Sequence, residues 1–338
     1  MVATRSVRIA VSLALAALLL ALFLWNVDLS AVGEAVADAD GGLLTAAAVL
    51  ALVSYWLRAV RWQLILRPAG RVRHSSAVLA TAVGYATMAL LPARLGDLVR
   101  PVVLARREPL PTSAALASIL TERIFDLWTV VAFFLISVLW PPEMSGLTAQ
   151  ARANLALLGR SGALVGAGLA AGTLILLGLF RYQERFVAIV TRPLARFRWR
   201  APVEAFLRHF LDGLRVIQRP RDLAATAGMS ALVWLVIYLQ VDVTLAAFGV
   251  DLPLRASYLL VAVSVIGLAV PTPGGIGGFH KAAQVGLTLF FAVELSRATA
   301  FAIVHHAICF IPITILGLLC LPVLGMSLRG LGSVEETR

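Results

Sequence analysis

Apolar runs of about 20 residues, long enough to cross the hydrocarbon core of a bilayer as a helix, recur along this chain. A span-length window places them at roughly 7–27, 43–66, 113–140, 161–180, 223–249 and 297–323. Two further apolar stretches are interrupted where a span should continue. The first, 75–91, runs into Pro92-Ala93-Arg94-Leu95-Gly96-Asp97; the second, 258–270, runs into Pro271-Thr272-Pro273-Gly274-Gly275-Ile276-Gly277-Gly278. Proline and glycine break helices, so each stretch reads as a re-entrant hairpin that enters the membrane and returns to the same side. The expected architecture is an all-α integral membrane protein with six full transmembrane helices and two re-entrant helical hairpins, forming one polytopic domain over 1–338.

Composition narrows the class. Hydrophobic residues make up 60% of the 338 residues and charged residues only 14%, against about a quarter charged in a soluble domain. A soluble enzyme, a coiled coil and a disordered chain are excluded. The net charge of +11 does not call for nucleic acid. Ten arginines fall within 181–222, between two apolar runs, where the positive-inside bias of cytoplasmic loops accounts for them. Cys309 and Cys320 lie eleven residues apart in one apolar helix, a rise of about 16 Å that no disulfide spans.

Charge also orients the segments. Arg5 and Arg8 precede the first apolar run, which resembles a signal peptide with Ala35-Val36-Ala37 as a cleavage site. The run continues to about Val27 and can span a bilayer, so it reads as a retained helix with a cytoplasmic N-terminus. The following loop, 28–42, carries Asp28, Glu34, Asp38 and Asp40 with no basic residue and suits the outside. Arg67, Arg71 and Arg73 suit the inside, as do Arg100, Arg106 and Arg107. A simple span over 75–105 would put the latter arginines, and the basic region 181–222, on the wrong face; a hairpin repairs both. Half 1 (about 1–140) and half 2 (about 161–325) then share one order of span, span, hairpin, span. The second copy is inverted relative to the first, as in transporters that build a midplane site from discontinuous helices. The linker 181–222, with Phe186, Val187, Ile189, Val190, Leu194 and Phe197 among its arginines, reads as an amphipathic segment on the inner surface.

Ionisable residues at membrane depth point to function because an unpaired charge there is costly. Arg94, Asp97 and Arg100 of the first hairpin and Glu122, Arg123 and Asp126 of the next helix form the densest group. Glu122 and Asp126, at i and i+4, share a helix face and need cations between them. A structural ion-pair network and a substrate site both satisfy that need. Arg58 lies too far from the helix end to reach the interface easily and is a candidate headgroup ligand, whereas snorkelling between Trp56 and Trp62 accounts for Arg61. In the second half, Gly274, Gly275 and Gly277 permit a sharp turn, and a helix starting after Gly278 would aim its free amides at an anion, with His280 and Lys281 beside it. His305 and His306 read as packing residues. No metal site, cofactor, catalytic constellation or nucleotide-binding G-x-x-x-x-G-K-[ST] is expected.

Leu91-Pro92-Ala93-Arg94-Leu95-Gly96-Asp97-Leu98-Val99-Arg100, Thr121-Glu122-Arg123-Ile124-Phe125-Asp126 and Pro271-Thr272-Pro273-Gly274-Gly275-Ile276-Gly277 resemble, in order, three signatures of the lysylphosphatidylglycerol synthase transmembrane-region family, also called the flippase-like domain family. Arg58-Ala59-Val60-Arg61-Trp62 fits its pattern too. The resemblance implies a relative of the lipid-translocating part of aminoacyl-phosphatidylglycerol synthases, in a family that also includes proteins linked to polyprenyl-linked sugars. Two departures stand out: His280 replaces the acidic residue usual after the glycine-rich turn, and Asp97 replaces a usual Glu. The chain ends about fifteen residues after the last apolar run, so the aminoacyl-transferase domain is not expected in it.

The leading expectation is a non-enzymatic transporter moving an anionic lipid, a phospholipid or a polyprenyl phosphate, in the cell membrane with both termini cytoplasmic. Arg94, Arg100, Arg123 and Arg58 would hold the phosphate, and Asp97, Glu122 and Asp126 would position them. The alternatives are an intramembrane enzyme on a polyprenyl-phosphate lipid, with Glu122 or Asp126 as general base, and a scaffold for an envelope-synthesis partner. The small-residue pairs Gly162–Gly166 and Gly168–Gly172 could pack helices within the chain or in a homo-oligomer.

Overall fold

In the computed structural model, which describes residues 2–90, 96–139, 149–193, 196–197, 199–213, 220–270 and 272–325, the apolar runs form helices and, among the described residues, there is no strand. The chain begins with α1 (Val2–Leu24), which bends by 83° into α2 (Leu29–Ala37). Asp28 makes this bend by capping α2: its carboxylate accepts hydrogen bonds from the amides of Ser30 and Ala31. The segment 28–42 is therefore largely helical, where charge alone reads it as a loop. Asp40 caps α3 (Gly41–Leu66) in the same way.

The first broken stretch is a pair of helices, α4 (His74–Leu90) and α5 (Gly96–Ala105). Gly96 is the first residue of α5 and lies so close to α4 that a Cβ there would sit 2.1 Å from the Gly84 carbonyl oxygen. Then follow α6 (Thr112–Leu139) and α7 (Ala149–Arg181), and in the linker α8 (Gln183–Thr191) and α9 (Arg200–Gly213). Val187 and Leu211 of this linker bury themselves beside Ala117 of α6, and Arg208 pairs with Glu184 at 2.8 Å.

The second half runs α10 (Pro220–Ala247), α11 (Leu254–Leu268), a 3-10 turn (Pro273–Gly275), α12 (Gly278–Phe291) and α13 (Leu295–Val323). Its hairpin closes as the first one does: Gly278, again the first residue of the returning helix, packs on Gly267, and a Cβ on Gly278 would meet the Gly267 carbonyl oxygen at 2.4 Å.

Six helices of 23 residues or more, α1, α3, α6, α7, α10 and α13, stand where six spans are expected. Three of them, α3, α10 and α13, are long and apolar enough to cross a membrane by length and composition, and α1 with α2 adds a fourth if the bent pair is one span. Helix α6 is continuous, but its apolar character is interrupted by Glu122, Arg123 and Asp126. The packing repeats between the halves. Helix α3 lies along α10; α4 packs on α13 as α11 packs on α6; α5 packs on α6 as α12 packs on α13. The halves thus interlock, and the two hairpins meet at the centre, where a Cβ on Gly274 would touch the Ala89 carbonyl oxygen of α4 at 3.1 Å.

Candidate functional site

Three helices of the first half bring their charged residues to one place. Ser54, Arg58 and Arg61 stand at i, i+4 and i+7 on α3 and share a face; Asp97 and Arg100 share one on α5; Glu122 and Asp126 share one on α6. The side chain of Glu122, fully excluded from solvent, takes both of its oxygens to Nη1 of Arg100, at 3.0 and 2.9 Å, and lies 3.2 Å from Nη2 of Arg61. Asp126 accepts from Arg61 Nη1 at 2.7 Å, Trp234 Nε1 at 2.9 Å and Arg123 Nη1 at 3.1 Å. Arg123 turns its other amino group to Asp97 at 2.9 Å, and Arg58 lies 3.8 Å from Asp126 while donating to the Tyr85 hydroxyl at 3.2 Å.

Burial divides these arginines into two tiers. Arg61 and Arg100 are 0% and 2% exposed. Arg61 also donates to Ser230 of α10, and the Arg100 guanidinium stacks 4.0 Å above the ring of Trp62, whose own Nε1 bonds Ser118. These contacts replace part of the water around charges whose desolvation would otherwise cost several kcal/mol each, while Nε and Nη2 of both Arg61 and Arg100 are buried without a hydrogen-bond partner. Arg58 and Arg123 instead face a cavity of about 500 Å³, together with Asp97 and Asp126. Four arginines (58, 61, 100 and 123) against three carboxylates (97, 122 and 126) leave this group with a net charge of +1 among the described residues. The Nε of Arg123 is buried without a hydrogen-bond partner.

The remaining wall of the cavity is largely apolar, built from residues such as Leu127, Ile237, Leu260, Val265 and Phe310, and it reaches the glycine turn of the second hairpin. Gly274, Gly275 and Gly277 have φ of 58°, 71° and 83°, in the region that favours glycine. Gly274 and Gly275 line the cavity, whereas Gly277 packs on Leu19 and Leu20 of α1. His280 is turned back on its own helix, accepting the Gly277 amide at Nδ1 (3.3 Å), so that amide is already used and is not offered to an anion. Its ring lies 4.4 Å from that of His306, whose Nε2 bonds the Gly274 carbonyl at 2.8 Å. Lys281 bonds Gln284 at 2.8 Å. Neither His280 nor Lys281 is among the cavity-lining residues. His305 stacks between Phe279 and Phe301 and bonds Thr244.

Of the residues singled out in the sequence, Arg58, Asp97, Arg100, Glu122, Arg123 and Asp126 come together in one network. Arg94 lies outside the described residues. Arg61 is a correction: it does not snorkel to an interface but sits at the centre of the network, sealed between Glu122 and Asp126. Its spacing from Ser54 and Arg58, which makes a polar stripe on an apolar helix, is the signal that identifies it. Tyr85, Ser230 and Trp234 have no such signal, because they reach the network from other helices. Among the described residues, no three His, Cys, Asp or Glu side chains gather so as to hold a metal ion.

Comparison with known proteins places the chain. The family model for the lysylphosphatidylglycerol synthase TM region matches residues 9–317. Glycosyltransferase AglD of Haloferax volcanii is 30% identical over 331 residues, which cover 90% of this chain and 52% of that protein. A UPF0104 membrane protein of Methanothermobacter thermautotrophicus is 25% identical over 314 residues, 89% of this chain and 88% of the relative. The chain thus spans about half the length of AglD and most of the second relative. No solved structure matches it.

Proposed function

This chain belongs to the lysylphosphatidylglycerol synthase TM region family, whose members are multi-pass membrane proteins, and we propose that it moves an anionic lipid, a phospholipid or a polyprenyl phosphate, between bilayer leaflets. The observation that carries the proposal is the pair Arg58 and Arg123, both facing one cavity of about 500 Å³ and both leaning on the same carboxylate, Asp126. A phosphate entering that cavity replaces Asp126 as their partner without moving either arginine far, and Arg guanidinium binds phosphate with two parallel hydrogen bonds. Arg61 and Arg100 hold Glu122 behind them and keep the wall rigid. The apolar remainder of the cavity suits the first methylenes of the lipid. The repeated hairpins, meeting through Gly274 and Ala89, supply two elements that could open the cavity to opposite leaflets. In this reading the chain is one polytopic unit of the cell membrane with cytoplasmic termini, it uses an ion gradient or none, and its partner is the lipid.

The name of AglD supports a second cargo within the same reading. A glycosyltransferase whose one half resembles this chain is explained if that half handles a lipid carrying sugar, with transfer itself assigned to the other half. Both cargoes share a phosphate.

The test is leaflet exchange in proteoliposomes of purified full chain, followed with tail-labelled fluorescent phosphatidylglycerol and an impermeant quencher. Accelerated loss of the protected inner-leaflet signal, abolished in Arg123→Gln and in Arg58→Met, is the expected result. No acceleration with phosphatidylglycerol or with a polyprenyl phosphate overturns the proposal.

A further inference from the structure

Helix α7 ends at Arg181 and α8 begins at Gln183, so Tyr182 is the single residue at an elbow between them. Two helix faces meet there. Ile175, Gly178 and Tyr182 stand at i, i+3 and i+7 toward the end of α7, and Tyr182, Arg185, Phe186 and Ile189 at i, i+3, i+4 and i+7 along α8. Together they line an open groove of about 400 Å³ that shares no lining residue with the central cavity. Gly178 is what leaves the groove open: a Cβ there would have nothing within 4 Å.

The elbow is held in place from one side. Val187 and Leu211 bury themselves beside Ala117 of α6, and Arg208 of α9 takes both oxygens of Glu184, at 2.8 and 3.0 Å. The acid nearest the elbow is thereby already neutralised. On the groove side Ile175 and Ile189 are 65% and 70% exposed. The guanidinium carbons of Arg181 and Arg185 lie 5.9 and 5.8 Å from the centre of the Tyr182 ring, within cation–π reach. That contact steadies both arginines beside the groove, and among the described residues neither has a carboxylate partner.

Exposed apolar surface and two cations without a counter-ion, four residues apart, call for one kind of occupant. An aliphatic chain alone leaves the arginines uncompensated, and a free anion leaves the groove bare. We infer that the elbow between α7 and α8 binds one anionic phospholipid of the surrounding leaflet, with its phosphate at Arg181 and Arg185 and the upper methylenes of an acyl chain in the groove over Gly178. The positive-inside bias sets this basic region at the cytoplasmic interface, where anionic headgroups draw arginines. A lipid bound there is resident rather than cargo: it ties the linker to the bilayer surface, lies outside the central cavity and does not depend on lipid carriage.

The experiment is native mass spectrometry of the purified full chain in detergent, titrated with phosphatidylglycerol or phosphatidylcholine. Wild type is expected to bind phosphatidylglycerol more tightly. Arg181→Gln and Arg185→Gln each weaken phosphatidylglycerol at this site about fivefold, the worth of one basic residue near an anionic surface, and leave phosphatidylcholine unchanged. Gly178→Leu fills the groove, keeps both charges and weakens both lipids; size-exclusion chromatography confirms that each variant is folded. Arg58→Met, in the central cavity, keeps the elbow lipid. Phosphatidylglycerol binding unchanged in all three elbow variants, equal wild-type affinity for the two lipids, or a wild-type dimer that Gly178→Leu dissociates overturns the inference. Binding lost in Arg58→Met but kept in the elbow variants also overturns it and leaves lipid carriage standing. Elbow-dependent binding without leaflet exchange of any lipid upholds this site and overturns carriage.

Discussion

Both carboxylate oxygens of Glu122 lie within 3.0 Å of a single nitrogen, Nη1 of Arg100, and the two side chains are 0% and 2% exposed. This buried pair ties the first hairpin to α6, and Arg61 at 3.2 Å from the same Glu122 ties in α3.

Removing one member of the pair leaves the other charge buried and uncompensated. Arg100→Met is expected to destabilise the protein by about 3–5 kcal/mol, and Glu122→Leu by a similar amount. The double variant is expected to be more stable than the sum of the singles implies, since neither charge then remains unpaired. Thermal unfolding in one detergent, across all four members of the cycle, reads this coupling.

Arg58 and Arg61 stand three residues apart on α3 yet predict different phenotypes. Arg61 bonds Asp126 and Ser230 and approaches Glu122, a geometry that a lysine, with one point of charge, cannot reproduce. Arg61→Lys should give little monodisperse protein by size-exclusion chromatography. Arg58→Met should elute as wild type and lose lipid exchange, because its guanidinium faces the cavity and supports no other helix contact as strong.

Glycine substitutions separate the tightly packed hairpin from an exposed helix surface. A Cβ at Gly96 would stand 2.1 Å from the Gly84 carbonyl oxygen and 2.9 Å from Met88, so Gly96→Ala must push α4 and α5 apart. Gly168 in α7 has nothing within 4 Å of its Cβ position, and Gly168→Ala should be neutral or more stable by about 0.5–1 kcal/mol. Melting temperatures of the two variants, compared with wild type, test the contrast.

The cap of α13 carries a pH dependence. Backbone amides of Ser296 (2.7 Å) and Arg297 (2.9 Å) donate to the Glu294 carboxylate and hold its pKa below the usual 4.5. A group with a lowered folded pKa contributes stability above its ordinary pKa and loses it as pH falls through the folded value. Glu294→Ala is expected to cost about 1 kcal/mol at pH 7. Melting curves of variant and wild type should converge as pH is taken below 4.5, and a gap unchanged with pH would count against the cap as the source.

Much of the site is legible in the sequence because its residues are anomalous where they stand. Asp97, Arg100, Glu122, Arg123 and Asp126 are charges in apolar surroundings, and i, i+4 spacing alone places Glu122 and Asp126 on one face. Arg61 shows where that reasoning stops. Near a tryptophan-flanked helix end, snorkelling explains an arginine as well as burial does, and only the positions of α6 and α10 decide between them. His280 and Lys281 show the reverse: both adjoin a motif that lines the cavity, yet one bonds the amide of Gly277 and the other Gln284, because each helical residue advances about 100° and turns away from its neighbour's face.

The sequence by itself determined the class of molecule, the places of the long helices, the two breaks at proline and glycine, and the inventory of buried charge. These are local properties: span length, helix-breaking residues and charge within an apolar run depend on neighbours in the chain. The tertiary structure alone decided that Arg61 bonds Asp126, 65 residues away, that Trp234 reaches the same carboxylate across 108 residues, and that, among the described residues, the arginines and carboxylates lining the cavity are Arg58, Asp97, Arg123 and Asp126. Such pairings depend on which helix faces are brought together by packing, at Gly84 on Gly96, Gly267 on Gly278 and Gly274 on Ala89, and no periodicity within one segment carries that information.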